Sequence, residues 1–221
     1  MNEIRFRLIL IQAFVFGLIL SQESKNQFYL KAILGIQGAQ IDGDYYAGYN
    51  QSGAMGGISV CKDISEKNTA YFSFLFSQKG ARQNANPEKN IFDFYSARLN
   101  YVEIPVGFQH RYKHFDLNVG LYYSRLISAK ERNQNGDINT GVKFKNNDVG
   151  YFVGMERKFN EKFSGGVRFS YSLIPIRDYF FNGQIYYYNI ISRLFNRGLY
   201  NNTMSFYITY NIQPNKKNKN E

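Results

Sequence analysis

Residues 100–110 read NYVEIPVGFQH, and the order of side chains along this stretch decides the fold. Asn100, Val102, Ile104, Val106, Phe108 and His110 fall on one phase of a two-residue repeat. Tyr101, Glu103, Pro105, Gly107 and Gln109 fall on the other. Successive side chains of a strand point to opposite faces, so this pattern predicts a strand with one apolar face and one small or polar face. Working outward, residues 115–123 and 204–212 alternate in the same way, as do 70–77, 149–156 and 166–173. Two softer strands, near 28–39 and 54–61, are interrupted by glycine and bring the count to eight. Pro105 lacks a ladder donor, and a closed barrel offers no free edge to receive it, so a bulge is expected beside it.

The face compositions set the solvent. One is Val, Ile, Leu, Phe and Tyr; the other is rich in Gly and Ser with a few charges. A soluble lipid-binding barrel would turn the apolar face inward, whereas a membrane barrel turns it toward lipid and fills a narrow lumen with the small polar set. Phe115, Tyr123, Phe163 and Tyr171 stand where interfacial aromatic belts would be needed. Connection lengths point the same way. Those near 62–68, 111–114 and 158–162 are short, and those near 40–53, 80–94, 130–147 and 175–201 are long. This strict alternation is that of periplasmic turns and outer loops. The expected fold is therefore all-β: a closed, antiparallel, eight-stranded up-and-down transmembrane β-barrel of a Gram-negative outer membrane.

Composition agrees. There are 19 Tyr, 20 Phe and no Trp in 221 residues, an aromatic load suited to strands. The mean hydropathy of −0.42 argues only against helical spans, because a membrane strand is apolar on alternate residues. The formal charge of +10 is scattered, which speaks against nucleic acid as a partner and for anionic lipid headgroups. A single cysteine, Cys61, excludes an intramolecular disulfide. Residues 1–21 carry Arg5 and Arg7 ahead of an apolar run from Leu8 to Leu20, the layout of a secretory signal. The chain then divides into a signal peptide (1–21), a barrel (22–212) and a polar periplasmic tail (213–221).

Five stretches carry a family resemblance: IDGDYYAGYNQSG (41–53), FSFLFSQKGAR (72–82), LNYVEIPVGFQHRY (99–112), VGLYYSRLISAK (119–130) and FSGGVRFSYSLIPIRDY (163–179). Together they resemble the PorT-like outer-membrane β-barrels of Bacteroidota, often labelled porin family proteins. The most specific elements are Tyr101-Val-Glu103-Ile-Pro105, similar to that family's Y-x-E-x-P strand, and SQKG at Ser77–Gly80. The resemblance implies an outer-membrane location and, through the family's namesake, an association with protein secretion. It also places Pro105 in a pattern. The last strand departs from the class by ending at Tyr210-Asn211-Ile212 and not on a terminal aromatic residue.

Candidate sites are few. Glu103, Asp116, Glu156 and Arg168 fall on the polar face and are expected to pair as a lumenal charge network. His110 and His114 belong in or beside a short periplasmic turn, and neither a G-x-S-x-G nor an H-E-x-x-H pattern occurs, so no catalytic residue is assigned and no enzyme is expected. Asp42 and Asp44 could hold a cation, but two carboxylates define no metal site. No cofactor is expected. Tyr179, Phe180, Phe181, Tyr186, Tyr187 and Tyr188 crowd the last outer loop and could bind a protein or glycan. The sequence thus points to a monomeric structural or interaction barrel in contact with outer-membrane lipid, with a small solute or ion pore and a soluble lipid-binding barrel as alternatives.

Overall fold

The computed structural model describes residues 28–44, 46, 48–138, 143–178 and 198–212. The expected signal peptide (1–21), the tail (213–221) and the aromatic cluster Tyr179–Tyr188 lie outside the described residues. Eight long strands form one antiparallel sheet: β1 (Tyr29–Asp42), β2 (Gln51–Asp63), β3 (Asn68–Gln83), β4 (Tyr95–Tyr112), β5 (Phe115–Asn133), β6 (Asn147–Lys158), β7 (Phe163–Ser172) and β8 (Gly198–Ile212). Each strand pairs with its neighbour in sequence. The ring closes where β1 pairs with β8, from Leu30 opposite Ile212 to Asp42 opposite Tyr200. Closure gives every strand two partners, β1 and β8 included, and abolishes the edge on which a free sheet would aggregate.

The alternation read from the sequence sorts side chains as a membrane barrel requires. Ile104, Leu117, Phe169 and Phe206 are all exposed on the outside, each between 38% and 49% accessible. Their neighbours Glu103, Asp116, Arg168 and Ser205 are buried inside. A soluble lipid-binding barrel would show the reverse. Aromatic rings pair toward both rims: Tyr151 and Tyr171 meet at 6.2 Å on the outer side, and Phe163 and Tyr210 at 5.1 Å on the periplasmic side.

Two expectations need correction. There is no bulge beside Pro105. The β3–β4 register is the same on both sides of it (Phe72 opposite Val106, Leu75 opposite Glu103), and only the pairings of Ser73 and Phe74 drop out. A missing N–H costs local ladder bonds but need not shift the register when the next residues resume in phase. The register shift falls instead between Asn100 and Tyr101, opposite Ile127 of β5, which gains an extra residue there. The strands also run further outward than the apolar alternation suggested. β3 continues to Gln83 and β5 to Asn133, and Gly136–Asp137 turn back on β5.

Candidate functional site

Strand register builds the lumen from the inward phase of each strand. On its outer half, Lys79 of β3 is fully buried and lies 2.7 Å from Glu103 of β4 and 3.2 Å from Asp148 of β6. Ser124 donates to Glu103 at 3.1 Å. Asp148 accepts from Ser172 (2.7 Å), Asn201 (2.9 Å) and Tyr122 (3.4 Å). The Lys79 ammonium also sits 4.1 Å from the centre of the Tyr122 ring and 5.2 Å from that of Tyr101. An ammonium in a dry interior is tolerable only with charge partners and donors satisfied, and here residues from β3, β4, β5, β6, β7 and β8 supply them. The plug therefore crosslinks most of the ring.

Local backbone aims Lys79. Gly80, next to it, has φ +143°, a conformation L side chains rarely adopt, and a Cβ there would run into the Ala97 carbonyl. Tyr101, Glu103 and Pro105 all point inward and are buried. The two most specific stretches, Ser77–Gly80 and Tyr101–Pro105, thus meet at one ion pair.

A second group occupies the periplasmic half. Lys31 of β1 lies 3.4 Å from Glu156, which also accepts from Thr209 at 3.2 Å. Arg168 is buried with its guanidinium 4.6 Å from the Phe152 ring centre and 5.5 Å from that of Tyr207. Asp116 pairs with the half-exposed Arg111 at 3.3 Å, at the periplasmic mouth. The four lumenal charges read from sequence are therefore all buried, but they do not pair with one another. Glu103 goes to Lys79, Glu156 to Lys31 and Asp116 to Arg111, while Arg168 stacks between rings. Sequence reading missed Lys31, Lys79 and Asp148. With them the buried lumenal charges are three cations (Lys31, Lys79, Arg168) and four carboxylates (Glu103, Asp116, Asp148, Glu156), the fourth carboxylate being offset by Arg111 at the mouth.

Little space is left. A lumenal cavity of about 20 Å³ lies among Lys31, Glu156, Arg168 and Tyr71, room for roughly one water. Above the plug, Tyr95, Leu99, Phe144, Ile176 and Leu199 pack into an apolar core over the mouth. Phe144 and Ile176 belong to outer connections, and the Lys145 N–H donates to the Ile176 carbonyl at 2.6 Å. Arg177 fixes this cap by a two-pronged contact with Glu131 (2.9 and 2.5 Å), while Tyr95 donates to the same carboxylate at 2.6 Å. Burial pushes the Glu131 carboxyl up, but the hydrogen bonds from Arg177 and Tyr95 and the guanidinium charge outweigh it and hold the group below its ordinary value.

The remaining sequence candidates are not assembled. His110 and His114 are exposed at the periplasmic end, and His110 Nδ1 lies 2.7 Å from Asn68 Oδ1. Asp42 interacts with the amides of Gln40 and Asn202, and Asp44 accepts from the Tyr46 N–H at 2.9 Å. Among the described residues no cluster of three or more His, Cys, Asp or Glu could hold a metal ion.

An apolar outside, a charge-balanced inside and a closed antiparallel ring define a transmembrane β-barrel. Residues 15–178 match the family described as outer membrane protein beta-barrel domain, and the chain belongs to that family. The protein is accordingly an outer-membrane β-barrel located in that membrane. Among solved structures it is similar to Neisserial surface protein A, with 10% identity over 85% of this chain and 99% of that one and a TM-score of 0.50. It is also similar to Ail, the attachment invasion locus protein of Yersinia pestis, with 12% identity over 83% of this chain and 99% of that one and a TM-score of 0.48. At such identities the likeness is one of fold. No curated protein matches the chain in sequence.

Proposed function

We propose that the protein is a rigid, closed barrel of structural or interaction type. In this reading residues 1–21 direct its export and are removed, and it works as a monomer without enzymatic chemistry. The observation that supports it best is the filled lumen. Lys79, Glu103 and Asp148 occupy the outer half, the cavity below them takes about 20 Å³, and the apolar cap covers the mouth. A barrel of eight strands leaves room only for side chains, so work is left to the outer surface and not to a channel. At the periplasmic end His110 faces the amide of Asn68 at 2.7 Å, a partner that neither activates a nucleophile nor orients a base.

The partner is a protein or glycan met by the outer connections. Resemblance to the PorT-like barrels of Bacteroidota, carried by Tyr101-Val-Glu103-Ile-Pro105 and Ser77–Gly80, favours a protein and a part in secretion across the outer membrane. Photo-crosslinking from Phe92, exposed in the connection after β3, and from Tyr187 in cells tests this. A specific protein adduct supports the reading, and its loss should accompany a secretion defect when the last loop is deleted. Adduct-free protein at both sites, with normal secretion in the deletion strain, contradicts it.

A further inference from the structure

We infer that the outer wall of the barrel carries a site for one anionic phospholipid of the periplasmic leaflet, with an acyl chain in a lateral groove and its phosphate on Arg157. The groove runs over β6, β7, β8 and β1 and encloses about 760 Å³. Register explains why it exists. Across one rung, Arg157 stands opposite Gly165, Gly165 opposite Ile208, and Ile208 opposite Leu34. Gly165 is outward-facing, so a side chain is missing where the rest of the wall presents Leu, Val, Ile and Phe. The ring of Phe159, from the β6–β7 turn, leans over this gap and would lie 2.7 Å from a Cβ at Gly165. One rung outward, the row ends at Ala54, a second small residue, opposite Ile36. The result is a trough with apolar walls inside the membrane band.

Charge at the rim selects the occupant. Arg157 is exposed at the periplasmic end of the trough, at the level of the Phe163–Tyr210 belt. Its guanidinium lies 5.9 Å from the Phe115 ring centre, and among the described residues it forms no ion pair with a carboxylate, unlike Arg111 beside Asp116. Guanidinium is a two-pronged ligand for phosphate. Arg157 is on the lipid-facing phase of β6, opposite to Glu156, and its permanent charge favours a lipid with net negative charge over a zwitterion, whose own ammonium offsets the phosphate.

Native mass spectrometry of the full-length mature protein in detergent, with equimolar phosphatidylglycerol and phosphatidylethanolamine, provides the test. The wild type should retain one phosphatidylglycerol in preference. Arg157→Gln should weaken that retention about fivefold, as expected for one basic residue at about 1 kcal/mol, and Arg157→Lys should keep much of it. Ala54→Phe fills the trough from an exposed position and should release the lipid with Arg157 intact. Heat-modifiable gel migration verifies that each variant is folded. Equal retention of the two lipids by the wild type overturns the assignment, as does unchanged phosphatidylglycerol retention in folded Arg157→Gln and Ala54→Phe.

Discussion

Lys79 of β3 and Glu103 of β4 face each other at 2.7 Å inside the barrel, neither side chain more than 6% exposed. Asp148 stands 3.2 Å from the same ammonium. Removing the cation leaves two carboxylates buried without it. Lys79→Met is expected to cost about 3–5 kcal/mol, the range for breaking a buried pair by deleting one partner. Urea unfolding from lipid vesicles, followed by circular dichroism, measures it. Adding Glu103→Gln and Asp148→Asn to Lys79→Met should restore most of the loss, because the charges that needed the ammonium are then gone.

The wall makes a separate prediction. Val119 of β5 is exposed halfway between the belt positions Phe115 and Tyr123, within the apolar band. Val119→Arg should destabilise the barrel by about 2–4 kcal/mol, the depth-dependent cost of a cation on the lipid face. Asn135→Arg, in the exposed outer turn, should change stability by less than about 0.5 kcal/mol. Equal effects at the two positions would mean that Val119 does not meet lipid.

The outer cap responds to acid through two carboxyls of opposite sense. Burial raises the Asp44 carboxyl, which hydrogen bonds from backbone N–H groups only partly offset, and its pKa is pushed up to about 6. A folded pKa above the unfolded one favours the folded loop as pH falls through about 6, so acidification from 7 to 5 tightens the first outer loop. Glu131 is held low, so its contribution is complete at neutral pH and is lost only as pH drops below the ordinary carboxylate range. Carbon-detected NMR of labelled side chains should place Asp44 near 6 and Glu131 below its usual value. Arg177→Gln should move Glu131 upward and leave Asp44 in place.

Much of this was legible in the sequence, and particular residues show why the rest was not. Period-two alternation identified the strands and their faces because lipid imposes it on every outward position, as at Leu117, Val119 and Leu121. Lys79 and Asp148 were missed because both lie at the outer ends of the apolar alternation, Lys79 after Phe76 and Asp148 just before Val149, where a charge reads as a loop. In a polar lumen such a charge is still strand. Lys31 was hidden in a strand softened by glycines. The pairing of Glu103 with Lys79, and not with another lumenal charge, depends on register between β3 and β4, which one strand read alone does not carry. Pro105 misled in the opposite sense: the proline was visible, but the ladder lost two pairings without bulging.

Closure of the lumen is the claim on which the rest depends, and single-channel recording in planar bilayers tests it most directly. Purified wild-type protein should insert without stable conductance steps, because the Lys79–Glu103–Asp148 plug fills the outer lumen and the apolar cap lies over its mouth. Reproducible long-lived openings from the folded wild-type monomer would contradict that closure.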